Sequence, residues 1–101
     1  MVKHIVMFKF LPEAKGRTAS ENASIAASML ADLQGKIDVL LASDVRLNSE
    51  NADKSNYDLV LTTDFNGFDE LHQYAVHPLH LKVVEFIKDV RESRSCVDYE
   101  Y

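Results

Sequence analysis

The sequence predicts an α+β fold in the order β-α-β-β-α-β, and three observations carry that prediction. Two stretches rich in Ile, Val, Leu, Phe and Thr, KHIVMFKF at 3–10 and YDLVLTTDF at 57–65, read as strands. Between them, Thr18-Ala19-Ser20-Glu21 has the spacing of a capping box, in which the hydroxyl and the carboxylate each close a backbone amide. After them, Tyr74-Ala75-Val76-His77-Pro78-Leu79-His80 interrupts a helical stretch with a proline.

Each element follows in order. The first strand presents His4, Val6, Phe8 and Phe10 on one face and Lys3, Ile5, Met7 and Lys9 on the other, so both faces have apolar residues to bury. Leu11 to Arg17 is a turn and loop. The helix opened by Thr18 carries Ala19, Ala23, Ala26, Leu30 and Leu33 on one face, and Gly35 is its expected stop. Ile37 to Leu47 is a second strand region, and Asn48 to Asn56 is a polar loop. In the third strand Tyr57, Leu59, Leu61, Thr63 and Phe65 share one face. Asn66-Gly67 turns into a short helix over 68–76. Pro78 disfavours helical geometry at His77 but suits the first position of a new helix, expected over 78–92 with a stripe of Leu79, Val83, Phe86 and Val90. RSCVDYEY at 94–101 closes the sheet.

This pattern is ferredoxin-like: an antiparallel sheet with its helices on one face. The helix-free face would then expose Ile5, Met7 and Val60, too apolar a surface to stay in water. A homodimer formed through the sheet faces is expected.

The 101 residues suit one domain spanning 1–101, with 47% hydrophobic and 27% charged residues. A net charge of −5 argues against nucleic-acid binding, which shows as a basic excess. No apolar run approaches the roughly 20 residues that cross a bilayer, and Met1-Val2-Lys3-His4 leads straight into a strand. No membrane association is expected, and the cytoplasm is the expected compartment. The lone Cys96 fits a reducing environment and reads as a small strand residue.

Taken together, VKHIVMFKF, YDLVLTTDF and the Tyr74–His80 heptad resemble the stress-responsive A/B barrel (Dabb) family, a branch of the dimeric α/β-barrel superfamily. The family's opening is typically H-x-V-x-F-K-F and its junction Y-x-x-H-P-x-H, and the resemblance covers essentially the whole chain. It implies a homodimer whose two sheets face each other across a barrel. It implies less about activity, because most members have no assigned reaction. One plant member is a cyclase that closes a linear polyketide thioester by aldol chemistry without metal or organic cofactor. Its strand histidine corresponds to His4, its general-base histidine to His80 and the tyrosine of the same segment to Tyr74. Its aromatic first-helix residues correspond to Ala23 and Ala26, so its substrate does not transfer.

Histidine titrates near neutral pH, and three of the four histidines fall within 72–80. His80 is the candidate general base, able to remove a proton α to a carbonyl if it points into a cavity. Tyr74 is the candidate donor to the resulting enolate oxygen, and His4 would hold the substrate. Against this stands a structural reading. His77 caps the new helix, His80 fixes that helix by bonding a carbonyl, and His72 lies on the surface. Three histidines with an open position would suit zinc, but no carboxylate or cysteine stands within the motif, so neither metal nor cofactor is expected. Two functions follow. One is an acid–base enzyme, of cyclase, lyase or isomerase type, acting on a small carbonyl compound between sheet and helices. The other is a non-catalytic stress-responsive or small-ligand-binding homodimer with structural histidines.

Overall fold

The computed structural model describes residues 1–101. Its elements are β1 (Val2–Phe10), β2 (Glu13–Ala14), β3 (Arg17–Thr18), α1 (Ala19–Ala31), β4 (Ala42–Leu47), β5 (Leu59–Phe65), α2 (Phe68–Val76), α3 (Pro78–Val90) and β6 (Arg91–Glu100). Four strands form one antiparallel sheet in the order β4-β5-β1-β6, which is the ferredoxin-like topology. No helix is long and apolar enough to cross a membrane.

Alternation divides the sheet as expected. Val2, Val6, Phe8 and Phe10 of β1 and Leu59, Leu61, Thr63 and Phe65 of β5 are buried under the helices. All of these but Val2 and Thr63 meet Ala23, Ala26 and Leu30 of α1, Tyr74 of α2, and Val83, Ile87 and Val90 of α3 in one core. Ala23 and Ala26 let α1 lie close to the sheet. On the other face Met7, Val97 and Tyr99 remain 37%, 61% and 43% exposed, and the register places Ile5 beside Val97 and Lys3 beside Tyr99.

The boundaries of several elements differ from expectation, for local reasons. The loop after β1 contains a two-residue hairpin, β2–β3, turned by Lys15 and Gly16, both with positive φ (53° and 73°). Positive φ at both central residues is the turn geometry whose twist matches paired strands. Helix α1 ends at Ala31 rather than near Gly35, since Leu33, Gln34 and Lys36 donate to carbonyls three residues back, in tight turns. Gly35 redirects the chain at φ 84°. Ile37 and Leu40 are buried in that turn region, so strand β4 begins only at Ala42. Strand β5 begins at Leu59 because Asp58 turns to the end of β1: its Oδ2 accepts from the Phe10 amide at 2.8 Å. Helix α3 stops at Val90, and the chain passes directly into β6, where Arg91 is already extended (φ −82°, ψ 145°) and opposes Phe10 across an irregularity in the register. The buried line of α3 is Val83–Ile87–Val90, rotated from the expected stripe toward His80, while Phe86 and Leu79 are only half-buried.

The capping box at Thr18 and Glu21 is present, with both reciprocal hydrogen bonds (3.2 and 2.9 Å). The break between α2 and α3 also falls at His77, which is extended (φ −63°, ψ 135°) and precedes Pro78.

Candidate functional site

A cavity of about 560 Å³ opens between the helices and the β1–β6 half of the sheet. Such a volume lies in the range of small-molecule sites. His4, Tyr74 and His80 all line it, together with Val6, Phe8, Leu61, Val83, Val84 and Ile87, and with Cys96, Asp98 and the bases Lys88, Arg91 and Arg94.

The junction between α2 and α3 sets where His80 points. His77 does not reach the cavity. Its Nδ1 accepts the Leu79 amide at 3.1 Å and so caps α3, while Pro78 occupies the first helical position. One turn on, His80 Nδ1 lies 3.0 Å from the Ala75 carbonyl. A carbonyl only accepts, so Nδ1 carries the proton and Nε2 keeps its lone pair. Burial holds the imidazole below its ordinary range. The Ala75 carbonyl works in the opposite direction, and the nearby His4, Arg94 and His77 add to the lowering. His80 is thus a neutral base with an unshared lone pair near pH 7.

Tyr74 is buried at the end of α2, its ring 5.1 Å from that of Phe65 and 4.3 Å from the His80 ring. Its hydroxyl has no hydrogen-bond partner in the protein, and desolvation pushes its pKa up to about 12. It stays protonated and is free to donate to a ligand. His72 lies on the surface, as the sequence suggests.

His4 enters from β1. Opposite it on β6 stands Asp98, and His4 Nδ1 donates to Asp98 Oδ1 at 2.5 Å. The Cys96 thiol lies 3.4 Å from the same nitrogen and donates to the same carboxylate oxygen at 3.6 Å. Burial, then Asp98, pushes the Cys96 pKa up, so it is a protonated thiol rather than a nucleophile. Nδ1, the thiol sulfur and the carboxylate are close enough together to suggest a metal site. The spacing does not fit one as it stands. Two light-atom ligands on a tetrahedral zinc stand about 3.3 Å apart, given bonds of about 2.0 Å, whereas His4 Nδ1 and Asp98 Oδ1 stand 2.5 Å apart, in direct hydrogen-bond contact.

Asp98, Arg91 and Arg94 are the lining groups that strand reading leaves unassigned. For Arg94 and Asp98 the signal is the alternation in RSCVDYEY: Arg94, Cys96 and Asp98 share the face opposite Val97 and Tyr99.

Fold and site together define a ferredoxin-like α+β protein with a histidine-lined cavity between sheet and helices. The chain belongs to the Dabb family, the stress responsive A/B barrel domain, whose family model matches residues 2–101. It is 26% identical over 99 residues to the stress-response A/B barrel domain-containing protein DABB1 of Arabidopsis thaliana, covering 98% of this chain and 46% of that one. The chain thus spans about half the length of this curated relative. Among solved structures, a dimeric ferredoxin-like protein of unknown function from Bacteroides fragilis matches at 30% identity and TM-score 0.81, covering 99% of this chain and 95% of its own. The hydroxynitrile lyase of Passiflora edulis matches at 14% identity and TM-score 0.74, covering 97% and 90%; at that identity the likeness is one of fold.

Proposed function

We propose that the cavity is the active site of an acid–base enzyme acting on a small carbonyl compound. The observation that carries this reading is the state of His80: its Nδ1 proton is committed to the Ala75 carbonyl, and its Nε2 lone pair is held neutral beside a cavity. His80 Nε2 takes a proton from the carbon α to the carbonyl and becomes imidazolium, and the electron pair moves to the carbonyl oxygen. The Tyr74 hydroxyl donates to that oxygen as charge develops on it. His4, oriented by Asp98, holds the substrate from the sheet side. Return of the proton to a different atom gives isomerisation, and attack of the enolate on a second carbonyl gives carbon–carbon bond formation.

The protein acts as a homodimer in this reading, formed through the helix-free sheet face. Support comes from the exposed Met7, Val97 and Tyr99 on that face and from the dimeric Bacteroides fragilis relative. A purely binding role is favoured by one observation: His77 and His80 each close a backbone group, as structural histidines do.

The test is solvent deuterium incorporation into simple methyl ketones, from 2-butanone to 2-octanone, followed by proton NMR. The expected result is exchange above the buffer rate in the wild type and its loss in His80→Ala, with the far-ultraviolet circular dichroism of the variant unchanged. Exchange at the buffer rate throughout, or equal rates in the two proteins, leaves the binding role.

A further inference from the structure

The cavity carries more positive charge than the chain as a whole predicts. The protein is acidic, with a net charge of −5, yet Lys88, Arg91 and Arg94 all border this one cavity. None of the three belongs to an ion pair. The carboxylates that do pair are held by other groups, namely Lys3, His4, Lys9, Lys15, Lys36 and Arg46. The only carboxylate on the cavity wall, Asp98, is bound to His4.

The cations are also placed in order. Along β6 the register sets Asp98 opposite His4, Cys96 opposite Val6, Arg94 opposite Phe8 and Arg91 opposite Phe10. On the facing helix, His80 and Lys88 are separated by eight residues, a rise of about 12 Å. The cavity therefore runs from a histidine–tyrosine end, past an apolar middle of Val6, Val83, Val84 and Ile87, to a basic end. Arg94 lines the cavity and stands opposite Phe8, on the same side of the sheet as Cys96 and Asp98.

We infer that the ligand of this cavity is an elongated aliphatic carbonyl compound bearing an anionic group, a carboxylate or a phosphate, held by Arg94 with Arg91 and Lys88 while its carbonyl lies at His80 and Tyr74. The inference rests on the cavity being a ligand site, as proposed above, and adds the chemistry of the far end. An arginine fork binds a carboxylate or phosphate through two parallel hydrogen bonds. With none of the three held in an ion pair, these cations are free to do so.

The test compares octanoate, octyl phosphate and 1-octanol, matched in chain length, by titration calorimetry and by NMR shifts of the cavity residues. Octanoate or octyl phosphate is expected to bind at least about tenfold more tightly than 1-octanol, and to weaken as salt rises from about 0.05 M to about 0.5 M while 1-octanol does not. Which of the two anions binds more tightly identifies the headgroup. The double variant R91Q/R94Q is expected to remove this preference and keep the 1-octanol affinity, which also reports that the cavity is intact. K82Q, on the exposed side of α3, serves as the charge-matched control and should change neither. Equal binding of anions and alcohol by the wild type overturns the inference but leaves the proton-transfer reading standing. A preference that survives in R91Q/R94Q overturns it as well. Binding of none of the three removes the cavity as a ligand site, and both readings with it.

Discussion

His4 and Asp98, 94 residues apart in the chain, meet across adjacent strands with His4 Nδ1 2.5 Å from Asp98 Oδ1. A carboxylate on one ring nitrogen fixes the tautomer and orientation of a histidine and so determines what the other nitrogen offers. Asp98→Asn keeps the shape and loses the charge. In the proton-transfer assay this variant is expected to fall about tenfold in rate, because His4 loses its charge-assisted anchor. Asp98 is partly solvated, so the stability should change by less than about 1 kcal/mol. Thermal unfolding measured beside the rate separates the two effects. A rate equal to wild type means that His4 needs no orienting partner.

Tyr74 separates packing from chemistry within one side chain. Its ring is buried against Phe65 and His80, while its hydroxyl has no partner in the protein. Tyr74→Phe should therefore fold with stability within about 0.5 kcal/mol of wild type. Removing the donor to a developing oxyanion should slow proton transfer by about 10²-fold. Tyr74→Ala should instead cost about 3–5 kcal/mol, through the cavity it leaves in the core. Similar rates in Tyr74→Phe and wild type assign the tyrosine to packing alone.

Histidine 80 links the site to pH. Its folded pKa lies below its ordinary value of 6.5, chiefly because the imidazole is desolvated. As pH falls, the unfolded chain takes this proton before the folded protein does. The stability contributed by the neutral ring is thus complete above about pH 6.5 and is lost as pH falls from there toward the folded pKa. His80→Gln should flatten that part of the stability curve in denaturant titrations at a series of pH values. The rate of proton transfer should fall lower down, as pH passes through the folded pKa, since only the neutral ring is a base. An NMR titration of His80 at or above 6.5 contradicts both expectations.

The same segment shows what a sequence can and cannot reveal. The helix break at His77 is readable because Pro78 acts on its immediate neighbour, and the His77 cap follows from that break alone. The capping box at Thr18 is readable for the same reason, since both partners lie within four residues. The apolar alternation of β1 and β5 places His4 on the helix side. The His4–Asp98 pair needs more, namely the register of β1 against β6, which depends on where α3 ends. Helix and strand meet there without a loop, at Val90–Arg91, and the charged residues Arg91 and Glu92 supply no local stop signal. Placing the strand start three residues late leaves the Arg91 end of the cavity unassigned. The end of α1 is hard to read for a related reason: Gly35 marks the turn of the chain, while the last α-helical residue lies four earlier.

His77 offers a control on the site itself. Its imidazole accepts the Leu79 amide and caps α3 but does not line the cavity. Replacing a side-chain cap by alanine costs about 1 kcal/mol. His77→Ala should lower the unfolding free energy by about that amount, and His77→Asn should restore most of it, since asparagine is a strong cap. Proton transfer per folded molecule should stay near wild type in both. A large rate loss in the stable His77→Asn variant would place His77 in the chemistry after all.

The helix-free sheet face gives the last prediction. Val97 lies beside Ile5 in the register, and Met7 follows on the same face of β1, so a short apolar patch is framed by Lys3 and Lys9. Val97 is more than half exposed in the isolated chain, so charging it alters no internal packing. In a dimer formed through this face it would face the partner's sheet, where an unpaired charge is strongly unfavourable. Val97→Lys should therefore shift the protein to monomer in sedimentation velocity at micromolar concentration, with its circular dichroism unchanged. Because the cavity lies on the opposite face of the sheet, octanoate binding to the monomeric variant should persist. A Val97→Lys protein that sediments as the wild type does places the interface elsewhere, and a wild type that is itself monomeric removes the sheet-face dimer.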